Sequence, residues 1–339
     1  MKAEAKKETE TVTAKMVDPM EKDLIRTDAE GIVIKGVGGL YTVLSDGERY
    51  QCRARGKFRH EKISPLVGDV VCVSRDTEGG DGYVIDAILP RKNSLVRPAV
   101  ANLTHLFAVV PSAKPKPDLL TVDKIISVAE SKDIEPVIIV NKSDIDPDEA
   151  ERIRSIYDGA GFTCILLSAA TGDGCGELYD YFVSASESGV MTAALAGASA
   201  AGKSTLMKRL FPELDLKTGE ISRKTERGRH TTRHVELFPV LDNGRCFIAD
   251  TPGFSLLDFA KYNYCELPLL ASTFREFSDC LGKCRYTKCT HTKEEGCAVL
   301  EKLASGGISK ERHDNYIALY NEIKTIPEWK RKKMTSNDG

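Results

Sequence analysis

The run Gly197-Ala198-Ser199-Ala200-Ala201-Gly202-Lys203-Ser204 has the spacing GxxxxGK[ST], a glycine-bounded turn closed by a lysine and a hydroxyl. It follows the apolar segment TAALA and leads into TLMKRLF, so a strand delivers the turn and a helix leaves it. In that setting the backbone N–H groups of the turn and of the helix N-terminus, through Thr205, cradle phosphates. Lys203 would reach the β- and γ-phosphates as a catalytic cation, and the Ser204 hydroxyl would ligate Mg²⁺.

Asn141-Lys142-Ser143-Asp144 closes the apolar run PVIIV. The Asp144 carboxylate can accept from both N1–H and the exocyclic amine of guanine. Adenine lacks that pair of donors and would leave an acceptor unsatisfied. Taken alone the motif is an ordinary polar turn; beside a phosphate loop it specifies guanine. Asp250-Thr251-Pro252-Gly253 ends the run CFIAD, where Asp250 would hold Mg²⁺ through water and the Gly253 amide would meet the γ-phosphate. Ser168 and Ala169, after CILLS, are placed to support the base through backbone N–H groups. The order is the unusual part. An ordinary GTPase begins with its phosphate loop and ends with its NKxD motif, whereas here NKSD and SAA precede the phosphate loop and DTPG. One sheet accommodates this if the usual ends are joined and new ones opened, a permutation that folds tolerate where termini lie close.

These motifs need a scaffold, and the chain supplies three textures. From Gly31 to about Val96 short alternating runs are punctuated by turn signals such as Asp46-Gly47, which predicts a small closed β-barrel of OB type over residues 30–97. Over residues 98–260 the apolar runs LFAVVP, PVIIV, CILLS, TAALAG and CFIAD alternate with helical stretches, which predicts an α/β domain built on a parallel sheet. Residues 261–339 form a smaller Cys-rich and then helical unit with a basic tail, Lys330 to Lys333. Residues 1–29, mixed in charge and without an apolar run, read as a disordered tail.

With 41% hydrophobic and 29% charged residues the composition is that of a soluble globular protein, and no run is long enough to span a bilayer. The net charge of −2 confines any nucleic-acid contact to local patches. One such patch is Arg53, Arg55, Lys57, Arg59 and Lys62, for which a solvated surface is the simpler reading when it is taken alone. Ten cysteines without a secretory signal imply a reducing compartment. Cys52, Cys72 and Cys164 sit in apolar settings and read as buried thiols. Cys284, Cys289 and Cys297 cluster with His291, and three thiolates with an imidazole make a closed tetrahedral set suited to structural zinc. Cys280 competes for a place in that set. The surrounding KCRYTKCTHTKEEGC is too polar to bury, and a unit this small and charged is expected to form a core only with such a metal staple.

The permuted order, the segment Gly228-Arg229-His230-Thr231-Thr232 and the N-terminal barrel together resemble the RsgA/YjeQ family of small-subunit ribosome biogenesis GTPases, over roughly residues 30 to 325. The resemblance implies an OB-fold, a permuted GTPase domain and a C-terminal zinc domain, with activity stimulated by the small ribosomal subunit late in its maturation. The family's zinc spacing selects Cys284, Cys289, His291 and Cys297 and excludes Cys280. It also implies a switch segment that senses the γ-phosphate, with Thr232 on Mg²⁺ and His230 as the candidate that positions water.

Departures from the family pattern matter. Ala200 and Ala201 stand where Gly-Val is common, and a positive φ at Ala200 would cost about 1 kcal/mol or somewhat more. Arg233 replaces a usual third threonine. Phe254 occupies the place of the water-orienting glutamine of Ras-like enzymes, so unaided hydrolysis is expected to be slow. DTPG runs directly into the zinc unit, which would let γ-phosphate loss reposition that unit. The expected partners are GTP and GDP, the small ribosomal subunit and its rRNA, with no membrane; the chain is expected to be a cytoplasmic monomer. An RNA-binding scaffold with weak or vestigial GTPase activity is the alternative, and a GTPase of transfer RNA modification is disfavoured by the barrel and zinc unit.

Overall fold

The computed structural model describes residues 29–61, 63–76, 82–96, 98–214, 235–250 and 265–326. The N-terminal tail, Lys62, the segment with His230, Thr232 and Arg233, the residues Gly253 and Phe254, and the C-terminal basic tail lie outside them.

Alternation in the first part of the chain closes a barrel. β1 (Ala29–Val37), β2 (Leu40–Ser45) and β3 (Glu48–Ala54) run antiparallel in succession, and one helical turn, α1 (Lys57–His60), leads towards β4 (Val70–Arg75) and β5 (Tyr83–Ile88). β3 pairs with β5, β5 with β4, and β4 returns to β1. Val33, Val43, Cys52, Phe58, Val71, Val73 and Ile85 fill the interior. The run GIVIKGVGGLYTVL is a hairpin: Gly38 and Gly39, both at positive φ, turn it back on itself. A short ribbon, β6 (Ser94–Leu95) with β7 (Val100–Ala101), leads out of the barrel, and the Ala101 N–H donates to the Val67 carbonyl at 2.8 Å. The strands of this ribbon stand on either side of the expected division at 97/98.

The α/β unit follows as β8 (His105–Pro111), α2 (Leu119–Glu130), β9 (Glu135–Asn141), α3 (Pro147–Gly159), β10 (Thr163–Leu167), α4 (Cys175–Glu187), β11 (Met191–Gly197), α5 (Lys203–Leu210), β12 (Glu236–Pro239) and β13 (Cys246–Asp250). The strand order is β10-β9-β8-β11-β13-β12; the first five are parallel and β12 is antiparallel to β13. Alternation along β8 explains why its run is continuously apolar: Leu106, Ala108 and Val110 face one core, with α2 and α3, while Phe107 and Val109 face the other, with α4. Sequence reading did not single out α3, although Asp146 caps it by accepting the Glu149 N–H at 3.0 Å and Pro147 opens it. Nor did it identify β12, the link to the barrel. Glu236 of β12 is register partner of Lys35 in β1, and their side chains form an ion pair at 2.7 Å. Sheet and barrel are thereby continuous.

The last unit carries the expected Cys/His cluster. Besides the cluster it has a genuine apolar core: Leu270, Phe274, Phe277, Val299, Ile308, Tyr316, Leu319 and Ile323 are buried together. They come from 3-10 turns at Leu267–Thr273 and Arg275–Phe277, from α6 (Ala298–Ala304) and α7 (Lys310–Thr325), and, for Phe274 and Ile308, from the links between these elements. The polar cysteine-rich stretch lies between these elements and hides their pattern in the sequence.

A buried ionic cluster fastens this unit to the α/β domain. Arg312 of α7 is 1% exposed; it is paired to Asp123 of α2 and donates to both Glu276 oxygens at 2.7 and 3.0 Å. Asp123 also accepts from Tyr157 of α3 at 2.9 Å and from Asn315 at 2.7 Å. The guanidinium lies 4.4 Å from the Phe274 ring centroid. Burial works to push the Asp123 carboxyl up, and Arg312, Asn315 and Tyr157 oppose it. Despite its own burial, Arg312 is held protonated more firmly than usual by Asp123 and Glu276. Segment 251–264 is thus not the unit's only tether, and repositioning the unit as sequence order suggested would have to break this cluster.

Removing one partner strands the others in low dielectric. Arg312→Ala should lower unfolding stability by about 3–5 kcal/mol in denaturant titration. A loss below about 1 kcal/mol would mean that water satisfies the carboxylates.

Candidate active site and metal centre

Because β9, β10, β11 and β13 are parallel, their C-terminal ends share one sheet edge, and each end carries one of the motifs. The chain runs outward from β8 in both directions, to β9 and β10 on one side and to β11 and β13 on the other. The crevice at such a switch point is where open α/β sheets bind ligands.

Asn141 is the last residue of β9, and its side chain is buried. Its Nδ2 donates to the Ala201 carbonyl in the phosphate loop at 2.8 Å. Its Oδ1 accepts from the Lys142 N–H at 2.8 Å and from the Ala169 N–H at 2.9 Å. One carboxamide therefore joins the NKSD, SAA and phosphate loops. Lys142, at φ +67°, lays its ammonium 2.9 Å from the Ala200 carbonyl and against that of Lys114, and Asp144 stands exposed two residues on. Ser143 donates its N–H to Leu167 at 3.2 Å. On the far side Arg209 of α5 grips the SAA loop, Nε to the Ala169 carbonyl at 3.3 Å and Nη2 to that of Ala170.

The Ala169 N–H, expected to support the base, is committed to Asn141. Ser168 is buried; its hydroxyl accepts from the Thr171 N–H at 3.2 Å and so shapes the loop. Neither the Asn141 tie nor the Arg209 clamp was read from the sequence. The asparagine at the head of NKSD was a usable signal for the first; the second depends on helix orientation and had none.

The phosphate loop leaves β11 at Gly197, which lies so close to β8 that a Cβ would meet the Val109 carbonyl at 2.3 Å. Ala198 and Ser199 lead outward, Ala200 has φ +62° and Ala201 is buried. Gly202, at φ +97°, packs on the hub: a Cβ there would meet Asn141 Nδ2 at 2.1 Å. Lys203 opens α5 and donates to the Gly197 and Ala198 carbonyls at 2.7 and 3.0 Å; burial pulls its pKa down. Ser204 and Thr205 are exposed at the helix N-terminus. Asp250 ends β13, the strand beside β11, as register partner of Glu236. His230, Thr232 and Gly253 lie outside the described residues.

The second constellation lies in the last unit. Ligand atoms of Cys284, Cys289, His291 and Cys297 all lie within 4.8 Å of one another. His291 Nδ1 is 3.5 Å from the Sγ atoms of Cys284 and Cys297, which are 3.9 Å apart. Zinc–sulfur bonds of about 2.3 Å in a tetrahedron require sulfurs about 3.8 Å apart, so the donor set fits zinc. Burial and the neighbouring thiols push the Cys289 thiol up to about 12, a cost that a divalent cation removes by favouring thiolates. Outer contacts brace the set: His313 Nε2 donates to the His291 carbonyl at 2.8 Å and Tyr316 to that of Thr290 at 2.9 Å. Glu294 accepts the N–H groups of Thr290, Thr292 and Lys293 at 2.9, 3.0 and 3.1 Å. Cys280 lies apart from the cluster, its thiol directed to Asp279 at 3.6 Å.

Of the barrel cations, Arg53 is exposed, Arg55 is ion-paired to Asp86, and Lys57 lies 5.4 Å from the Phe58 ring centroid. The Arg59 side chain and Lys62 lie outside what is described.

A phosphate loop beside β13, an NKxD turn tied to it, and strands threaded so that the latter comes first define a circularly permuted P-loop GTPase. The chain is matched by the family model for the RsgA GTPase over residues 88–260 and by that for the RsgA N-terminal domain over residues 30–84. A small ribosomal subunit biogenesis GTPase RsgA of Ruminiclostridium cellulolyticum is 38% identical over 311 residues, 90% of this chain and 97% of the relative. The protein of the same name from Enterococcus faecalis is 41% identical over 309 residues, 89% and 98% of the two chains. Among solved structures, YjeQ from Thermotoga maritima superposes with a TM-score of 0.73 at 32% identity, over 88% of this chain and 99% of its own. YloQ, titled a circularly permuted GTPase, gives 0.69 at 30% identity over 88% and 96%. The chain belongs to the RsgA family of GTPases and is a GTP hydrolase.

Two neighbouring substitutions should act in opposite directions. Gly202→Ala drives a methyl into Asn141 and should abolish measurable GTP binding. Ala200→Gly relieves a left-handed alanine and should tighten GTP about fivefold, the equivalent of about 1 kcal/mol. Calorimetry on both variants checks this, and equal affinities would remove the loop conformation from the site.

Proposed function

We propose that this GTPase acts on the small ribosomal subunit late in its maturation, binding rRNA and coupling GTP hydrolysis to its own release. The observation that carries the reading is the convergence of the nucleotide motifs around Asn141, in a chain whose relatives are named for small-subunit biogenesis. We assign the barrel to residues 30–97, the GTPase domain to 98–260 and the metal-bearing unit to 261–339. Arg53, Arg55, Lys57, Arg59 and Lys62 are the proposed RNA contacts of the barrel. Among the described residues no helix is long and apolar enough to cross a membrane; we place the protein in the cytoplasm as a monomer.

Asp144 reads guanine, and Lys142 braces the phosphate loop from beneath. The amides from Gly197 to Thr205 receive the phosphates, and Lys203 exchanges its loop carbonyls for phosphate oxygens. Ser204, Thr232 and Asp250 would hold Mg²⁺, whose charge offsets that developing on the β- and γ-oxygens. Cys284, Cys289, His291 and Cys297 would hold one structural zinc. Hydrolysis needs a water oriented towards the γ-phosphate, and the phenyl ring of Phe254 offers no hydrogen bond for it. We assign that role to His230, an imidazole able to hold water near neutral pH. The positive φ of Ala200 favours the second reading, an RNA-binding scaffold with weak GTPase activity.

Turnover measured with and without purified small subunits separates the two. It should rise about tenfold or more on their addition, well within what a partner acting in trans supplies. His230→Ala should cut the stimulated rate by about 10²-fold while GTP affinity holds. Turnover indifferent to subunits would support the scaffold.

A further inference from the structure

Arg209 stands in the last turn of α5, the helix that Lys203 opens, and is exposed to solvent, yet its guanidinium folds back onto protein. Its Nε donates to the Ala169 carbonyl at 3.3 Å and its Nη2 to the carbonyl of Ala170. The loop passes close under it: a Cβ on Gly172 would sit 3.8 Å from a guanidinium nitrogen. Holding a long side chain in one shape at the surface costs rotamer entropy, and the planar fork of an arginine returns it by fixing two acceptors at once. α5 is eight residues and about 12 Å long. One rigid helix thus carries the phosphate-binding turn at one end and this clamp at the other.

The N–H groups of the same loop show what the clamp leaves open. Ser168 donates its N–H to the Asp173 carbonyl and Gly172 to that of Ser168, each at 2.8 Å. Ala169 donates to Asn141 at 2.9 Å, Thr171 to the Ser168 hydroxyl at 3.2 Å and Asp173 to the Thr171 hydroxyl at 3.3 Å. From Ser168 to Asp173 the Ala170 N–H is therefore the one backbone donor without an acceptor among the described residues, and Ala170 is exposed. In a trans peptide the carbonyl and the following N–H point opposite ways. The Ala169 carbonyl shares its peptide with the Ala170 N–H, so a grip on that carbonyl from α5 turns the N–H away from α5. Asn141 fixes the peptide before it and Arg209 the one after. A donor set in place before its ligand arrives loses little freedom when it is used.

Guanine presents two donors to the Asp144 carboxylate, N1–H and the 2-amine, and beside them an acceptor, O6. Adenine carries an amine where guanine has O6, so an N–H fixed at that position accepts one base and opposes the other. Resting on the assignment of the NKSD turn to the base, we propose that Arg209 is a positioning residue for guanine specificity. Through the carbonyls of Ala169 and Ala170 it presents the Ala170 N–H to O6. Asp144 reads the donor half of the base edge and the clamped loop reads the acceptor half. Arg209 itself touches no part of the nucleotide.

The test uses the full chain and three triphosphates, with affinities read by displacement of a fluorescent GDP. GTP and inosine triphosphate both carry O6, whereas 2-aminopurine riboside triphosphate has hydrogen in its place. Thermal unfolding confirms that each variant is folded. Arg209→Ala should weaken GTP and inosine triphosphate about tenfold each, the worth of one hydrogen bond whose donor is no longer held. The 2-aminopurine nucleotide should stay within about twofold of its affinity for the parent. Arg209→Lys keeps a donor for one carbonyl and should recover part of the loss; a lysine variant as weak as alanine would contradict the clamp. Unchanged GTP affinity in Arg209→Ala would overturn the proposal. So would an equal loss for all three nucleotides, since Arg209 would then support the fold of the site and not the O6 contact. Asp144→Ala is measured alongside. GTP affinity that survives it would refute the assignment of NKSD to the base, whereas a loss there with none in Arg209→Ala refutes only the role of Arg209.

Discussion

A primary amide buried in a protein brings two donors and two acceptor lone pairs that must find partners. Asn141 distributes its own among loops that are 28 and 60 residues away in the chain, accepting from Ala169 and donating to Ala201. The NKSD turn that carries Asp144 and the loop at Gly197 then share one rigid reference point. The glycine at 202 exists because of that contact, and Lys142 and Arg209 reinforce it from either side. Without the hub, three surface turns would each be free to choose their own conformation.

The hub also explains why permutation leaves the chemistry intact. Parallel strands bring their C-terminal ends to one edge whatever the order in which the chain visits them. What permutation changes is the neighbourhood. β12 becomes the sheet's antiparallel edge and hands it on to the barrel at Lys35 and Glu236, while the strand carrying Asp250 leads towards the metal-bearing unit. That unit is docked through Arg312, which meets carboxylates from both sides of the interface. The buried cluster favours a GTPase domain and metal-bearing unit that move together.

Much of this was legible in the sequence because it depends on local spacing. The phosphate loop, the NKSD turn, the five apolar strands and the Cys/His ligands all declare themselves within a few residues. Ala200 could be flagged for the same reason, and its φ of +62° is what the loop requires. The illegible features depend on distance. Arg312 reads as one more cation on a charged helix, and only the fold brings Asp123, 189 residues away, against it. β12 is too short to announce itself, and the core around Phe274 and Tyr316 is split by the polar stretch between its parts. Arg55 reads as one more cation of its patch, and only the fold brings Asp86 of β5 against it.

The account stands or falls on Asn141. Asn141→Asp replaces only the donor, keeping the acceptors for Lys142 and Ala169 while setting an oxygen against the Ala201 carbonyl. GTP affinity measured by calorimetry on this variant should fall at least about tenfold, the equivalent of about 1.4 kcal/mol. An affinity within about twofold of the parent would contradict the account, because the phosphate loop would then hold its shape without the tie.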